Sequence, residues 1–156
     1  MQENMKYEHI RQATPADAPR IAEIEVFNYR LNFYPIFRND KYYFEELQVD
    51  KEAERLFADE EVMKGAYVYD DGVVKGFIII DGSEVWKLFV EPALQGQSIG
   101  AELLEYAIKE HGVEALWALE KNTRAVRFYE KHGFTVADEK IYEEGTTEYL
   151  VRMKRS

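Results

Sequence analysis

The pattern of apolar and polar positions changes at Gly65, and the clearest elements follow from there. Ala66-Tyr67-Val68-Tyr69 reads as a strand, Asp71-Gly72 as a hairpin turn and Val73 to Ile80 as the return strand. Asp81-Gly82 marks a second turn and Glu84 to Val90 a third strand, so the three should form an antiparallel meander. Pro92 ends that pairing. The period then changes. Ile99, Leu103, Leu104, Ala107 and Ile108 make a helical stripe ending near His111, with Gly112 as the stop. Ala115 to Leu119 is the next strand, and strand–helix–strand order predicts that it runs parallel to Glu84–Val90. Asn122 caps a short helix carrying Ala125, Val126 and Tyr129, which Gly133 terminates. Phe134–Ala137 and Ile141–Tyr142 are strand-like, as is Thr147–Met153 after the turn at Glu144-Gly145.

The first third is less regular. Tyr7 to Gln12 reads as a strand. Thr14 can cap a helix whose first position is Pro15, with Asp17 in the first turn and Ile21, Ile24 and Asn28 at helical spacing. That helix should end near Asn28 to Arg30. Phe27 to Phe44 is dense in aromatics, and Pro35 predicts an interruption of any helix there. A further helix is expected from Asp50 to Asp59, with Asp50 as cap and Leu56 and Phe57 facing inward. No linker or repeat divides the chain, so residues 1–156 read as one domain.

Composition narrows the classes. A chain of 156 residues, 46% of them hydrophobic, suits one packed core and argues against disorder. No apolar run approaches a membrane span of roughly 18 residues, so no membrane partner is expected. Met1-Gln2-Glu3-Asn4 lacks the basic-then-apolar pattern of a signal peptide. The absence of cysteine removes disulfides, thiolate metal sites and a cysteine nucleophile, and agrees with a cytoplasmic location. His9, His111 and His132 have no ligand spacing, so no metal site is expected. The net charge of -10 argues against nucleic acid and suits cationic substrates such as amines, although the same charge also serves plain solubility.

The strongest candidate for chemistry is Gln95-Gly96-Gln97-Ser98-Ile99-Gly100, between the third meander strand and the long helix. Glycines there let the backbone approach a ligand closely. The first turn of a helix offers unpaired N–H groups and partial positive charge, which together suit a pyrophosphate. An ordinary strand-to-helix loop would look the same. A Walker A loop is excluded because Ala101-Glu102 stands where Lys-Ser or Lys-Thr is needed, and a dinucleotide fingerprint needs a third glycine.

The segment Leu88 to Leu104 resembles the acyl-coenzyme A motif of the GCN5-related N-acetyltransferase (GNAT) family, whose pattern is Gln or Arg, two residues, Gly, one residue, then Gly or Ala. Gln95 and Gly100 match its ends, Gly96 fits a common variant, and Ser98 replaces the middle glycine. Serine still supplies an N–H, and its hydroxyl could cap the helix. Asn122-Thr123-Arg124-Ala125-Val126-Arg127-Phe128-Tyr129-Glu130-Lys131-His132-Gly133-Phe134 resembles the second signature of the same family. Two motifs in order, joined by a helix and a strand, are far more specific than either alone. The resemblance is strong over Gly65–Phe134 and weak over the first sixty residues.

The resemblance implies an α/β (mixed α+β) fold: a central mixed, mostly antiparallel twisted sheet of six to seven strands flanked by about four helices. It implies acetyl-coenzyme A as co-substrate, held by Leu88, Phe89, Val90, Gln95, Gly96, Gln97, Ser98, Ile99, Gly100, Ala101, Asn122, Ala125, Phe128, Tyr129 and Lys131. Tyr129 occupies the general-acid position, and Lys131 is a candidate for the phosphates, although a solvated helix lysine would look alike. The base is left open between Glu84, which starts the central strand, Glu120, which ends the parallel one, and a water chain. Asn28, Tyr29, Phe33 and Tyr34 are candidates for the acceptor pocket, with core packing or homodimer contacts as their other use. The implied activity is direct transfer of acetyl to a primary amine, on a small molecule or a peptide, in a ternary complex. Its rivals are a non-catalytic acyl-coenzyme A sensor of the same fold and an enzyme that modifies protein N-termini or lysines.

Overall fold

Seven strands form one sheet in the order β1-β2-β3-β4-β5-β7-β6 in a computed structural model that describes Lys6–Arg155. The reading of Met1 to Asn4 lies outside the described residues. The strands are β1 (Ile10–Gln12), β2 (Ala66–Asp70), β3 (Val74–Asp81), β4 (Glu84–Val90), β5 (Ala115–Leu119), β6 (Phe134–Tyr142) and β7 (Tyr149–Arg155). The predicted meander is present as antiparallel β2-β3-β4, and β4-β5 is the parallel pair. The two strand-like pieces after Gly133 are one strand, β6, with an irregularity between Val136 and Lys140.

Helices cover both faces. On one side lie α1 (Ala18–Asn28), α2 (Tyr34–Phe37), α3 (Val49–Ala58) and α4 (Glu60–Lys64), and on the other α5 (Ile99–His111) and α6 (Thr123–Lys131). The central strand β3 shows why two layers are needed. Phe77 and Ile79 point into the α1–α3–α4 layer and Ile78 into the α5 layer, all three essentially fully buried. Each such side chain contributes roughly 1.5–3 kcal/mol of burial. The stripe Ile99, Leu103, Leu104, Ala107 packs on that second face. Gly112 stops α5 in a left-handed conformation at φ 64, donating to Ile108 O at 3.1 Å.

The first third departs from its reading in four places. Residues 7–9 form a turn, and β1 starts at Ile10. Pro35 does not break the helical path. The chain leaves α1 through a π-helical turn, Tyr29–Phe33, and Pro35 sits in the first turn of α2, where its missing N–H costs no bond. A second π-helical stretch spans Lys41–Glu46. Asp50 is not the cap of α3: Gln48 holds that position and Asp50 lies in the first turn. Leu56 faces inward, but Phe57 is 62% exposed, because consecutive helix positions diverge by about 100°. Glu52 and Glu25 are buried instead. Glu25 Oε2 lies 2.7 Å from Lys87 Nζ and ties α1 to β4. Burial raises its carboxyl to about 7 against the pull of Lys87.

One feature of β4 positions the site. Ile79 pairs with Lys87 while the next residue of β3, Ile80, pairs with Val85, so Trp86 is an extra residue in a bulge. Only Glu84 and Val85 pair with β5, opposite Ala115 and Leu116. Beyond the bulge β4 and β5 separate, and Lys87–Val90 keep β3 on one edge but, among the described residues, no strand on the other.

Candidate active site

The split between β4 and β5 opens a cleft of about 690 Å³. Leu88, Phe89 and Val90 line it from β4. Gln95, Gly96, Ser98, Ile99, Gly100 and Ala101 line it from the turn and the start of α5. Asn122, Ala125, Phe128, Tyr129 and Lys131 line it from α6 and its cap. Gln97 alone of the expected cofactor residues does not reach it. Residues 88–101 and 122–131 thus meet across one cleft, although they are separated in sequence by α5 and β5.

The turn has the geometry an anion needs. Gly96 takes φ 88, and Ser98 takes φ 67, ψ 9, the left-handed conformation that costs a residue with a Cβ about 1–3 kcal/mol. The expected capping bond from Ser98 is absent, since left-handed backbone carries the side chain away from the helix entrance. Serine therefore keeps the loop shape of a glycine at a cost in strain. The first intrahelical bond of α5 runs from Glu102 N to Ser98 O at 3.0 Å, so the N–H groups of Ile99, Gly100 and Ala101 precede the ladder. A Cβ on Gly100 would stand 3.5 Å from Val90 Cγ2 and 3.7 Å from Phe128 Cζ, which is ordinary contact. The glycine there is therefore not demanded by packing within the protein.

Gln95 and Asn28 anchor the turn. Asn28 is 1% exposed, and its Nδ2 donates to Ile24 O at 2.8 Å and Val90 O at 2.9 Å. Gln95 Nε2 donates to Asn28 Oδ1 at 3.1 Å and to Val90 O at 3.3 Å. These bonds join α1, the end of β4 and the turn. They also use the carbonyl of Val90 that the missing strand leaves unpaired. Asn122 Oδ1 accepts from Ala125 N at 3.3 Å and caps α6 as expected.

Tyr129 packs edge-on against Phe128 and Phe134, with ring centroids at 5.2 and 5.9 Å. Burial raises its hydroxyl above the ordinary tyrosine value, so the group stays protonated at neutral pH. Sequence reasoning missed Arg124, Arg127 and His132, which also line this cleft, together with Asn32, Leu94 and Thr123. Arg124, Arg127 and Lys131 sit on one side of α6, and no carboxylate lines the cleft among the described residues. The signal was the helical spacing of the basic residues after Asn122, hidden by a strongly negative total.

Neither proposed base borders the cleft. Glu84 stands at the paired end of β4, opposite the opening, and is held by Arg152. Glu120 is at the open end of β5, but its Oε2 is 2.7 Å from Lys140 Nζ on β6. The acceptor candidates also divide. Asn28 belongs to the cleft, whereas Tyr29 and Phe33 line a second cavity of about 690 Å³. Tyr34 reaches neither: it packs on Tyr43 and Phe44 and donates to Asp40 Oδ1 at 2.6 Å. The second cavity is closed on one side by Ile36, Phe37, Asn39, Tyr42 and Tyr43, and on the other by Glu143–Glu148 of the β6–β7 turn. Phe89 stands between the two spaces, edge-on to Tyr29 at 5.4 Å and to Phe33 at 6.3 Å.

A mixed sheet split at its one parallel pair, with a glycine turn and a helix N-terminus at the split, defines the class expected from the two motifs. A family model described as acetyltransferase (GNAT) domain matches residues 52–136, more than half of the chain, and the chain belongs to that family. Among curated relatives, the peptidyl-lysine N-acetyltransferase YjaB of Salmonella typhimurium is 38% identical over 69 residues, 44% of this chain and 48% of that protein. The chain thus spans about half the length of the curated relatives it matches. The solution structure of apo-form YjaB from Escherichia coli superposes with a TM-score of 0.74 at 21% identity, covering 93% of this chain and 95% of that one. The PaiA N-acetyltransferase of Thermoplasma acidophilum in complex with coenzyme A superposes at 0.64 and 22% identity, covering 93% and 97%. At these identities the structural likeness is one of fold.

Proposed function

We propose that this chain is an N-acetyltransferase that moves the acetyl group of acetyl-coenzyme A directly to a primary amine in a ternary complex. The observation that carries the reading is the split of β4 from β5 beside the free N–H groups of α5, with Tyr129 facing them across the cleft. Those N–H groups and the positive end of α5 suit the pyrophosphate. Arg124, Arg127 and Lys131 suit the remaining phosphate charge. The unpaired edge of β4 at Leu88–Val90 suits the amides of the pantetheine arm, which would add to it as a strand does.

Acetyl-coenzyme A supplies the acetyl group as a thioester. The amine nitrogen attacks the carbonyl carbon, a C–N bond forms and the C–S bond breaks. The departing thiolate takes the proton of the Tyr129 hydroxyl, which burial has kept neutral. The amine's proton leaves through water, because neither Glu84 nor Glu120 reaches the cleft. That water restores Tyr129. The absence of cysteine agrees with direct transfer, since no thioester to the enzyme can form. The curated relatives are peptidyl-lysine N-acetyltransferases, which supports a lysine-type primary amine.

Titration calorimetry with acetyl-coenzyme A, followed by thiol release over a panel of amines, tests the proposal. One-to-one binding with amine-dependent release is expected. Failure to bind acetyl-coenzyme A would overturn the reading. Binding without release on any amine would favour a sensor of the same fold.

A further inference from the structure

We infer that the cavity between the aromatic segment and the β6–β7 turn selects amine acceptors that carry a second cationic group. The inference rests on the acetyltransferase reading and gives its acceptor a chemical class. Glu143, Glu144 and Glu148 line this cavity, and no lysine, arginine or histidine does so among the described residues. Glu148 is neutralised by Lys121 at 2.9 Å. Glu143 and Glu144 have no ion-pair partner among the described residues, and they stand on consecutive positions of one turn. An acceptor with one ammonium group gives that group up to the reaction. Glu143 Oε1 accepts only the Glu144 backbone N–H at 3.1 Å, so two carboxylates without a counter-charge would then stand beyond the reacting end.

The opposite wall is made for the stem of such a molecule. Tyr29 and Phe33 stack at 4.9 Å, and Tyr42 meets Tyr43 edge-on at 4.9 Å. Aromatic faces pack against methylene chains and attract cations within about 6 Å of a ring centroid. Tyr43 is only 5% exposed, yet it lines the cavity and its hydroxyl makes no hydrogen bond with the described residues. Burial raises that hydroxyl to about 12, so it serves as a neutral donor or acceptor and not as a counter-charge. The charge selection therefore falls to the turn. The cavity also begins where the cleft ends. Asn28 and Asn32 line the cleft while their neighbours Tyr29 and Phe33 line the cavity, and Phe89 of the cleft packs edge-on against both rings.

Two sources share this chemistry: a free diamine or polyamine, and a lysine with a neighbouring basic residue in a peptide. Thiol release with acetyl-coenzyme A should be compared for butylamine against 1,4-diaminobutane and spermidine. A second arm compares a capped Ala-Lys-Ala peptide with a capped Arg-Lys-Arg peptide. At least a tenfold higher kcat/KM for the dicationic member of either pair is expected, and the arm that shows it names the source. In the double variant Glu143→Gln, Glu144→Gln that ratio should fall close to one, with acetyl-coenzyme A affinity as the control for folding. Equal kcat/KM within both pairs, or a ratio that survives the double substitution, overturns the inference and leaves the acetyltransferase reading standing. If no amine is turned over, that reading fails separately, and calorimetry with spermidine decides the cavity. Binding that the double variant loses upholds it, and no binding overturns it.

Discussion

The two cavities of this chain have similar volumes and opposite electrostatics. The cleft at the β4–β5 split is lined by Arg124, Arg127, Lys131 and His132, without a carboxylate among the described residues. The cavity behind Phe89 is lined by Glu143, Glu144 and Glu148, without a cation among the described residues. A net charge of -10 describes neither. On the proposed reading this local charge would sort the two substrates: an anionic phosphate carrier would be drawn to one side and a cationic amine to the other, and repulsion would keep each from the wrong space.

The largest effect expected on this division comes from Tyr129, the general acid of the proposed reaction, which lines the cationic side. Tyr129→Phe should lower kcat about 100-fold with acetyl-coenzyme A affinity unchanged, the size usual for a lost general acid. Steady-state kinetics with calorimetry separate the two, and unchanged turnover at saturating acetyl-coenzyme A would remove the acid role. Removing the cationic lining attacks the comparison itself. Arg124→Ala with Arg127→Ala should weaken acetyl-coenzyme A binding roughly 10- to 30-fold, through the loss of charge-assisted bonds of about 1.5–3 kcal/mol before screening by water and salt. The loss should shrink as salt is raised, while the amine KM stays put. An equal loss for both substrates would mean that the two spaces are not electrically separate.

Asn28→Ala tests the tie between the regions. It removes the side-chain donor to Ile24 O and Val90 O and the acceptor of Gln95 Nε2, and should cost about 2 kcal/mol of stability, read as a lower midpoint in urea. The smallest expected effect is a gain. Ser98→Gly should stabilise the fold by about 1 kcal/mol by relieving the left-handed strain, with binding kept. A loss of stability would show that the serine side chain contributes something its backbone angle conceals.

Much of this organisation is legible in the sequence where a residue has only one physical use. Asp71-Gly72, Gly112 and Gly133 mark element ends because each stands in a left-handed or open turn, and Asn122 caps because its oxygen has a helix N–H to reach. Gln95 to Ser98 form the turn read before the long helix, and Ile99 and Gly100 of the same motif open α5. What is not legible depends on distant partners. Glu84 is named as bordering a cleft because it begins a strand beside β5, but only the bulge at Trp86 decides which end of the pair opens. Pro35 reads as a breaker because a π-helical turn leaves no signature in periodicity. Phe57 reads as core because its hydrophobicity is visible and its direction is not. Arg124 and Arg127 escape notice because net charge averages over surfaces that never meet.

The bulge at Trp86 has one more consequence. A sheet normally carries its unpaired backbone at its rim, where it invites adhesion to other chains. This sheet places a second bare margin at its centre, along Lys87–Val90, walled by α5 and α6. A slender amide-bearing arm can lie against that margin. Another protein's strand would first have to pass the helices that flank it. If coenzyme A binds there as proposed, handling the protein with it present should guard against aggregation as well as unfolding, because the ligand would then complete the sheet.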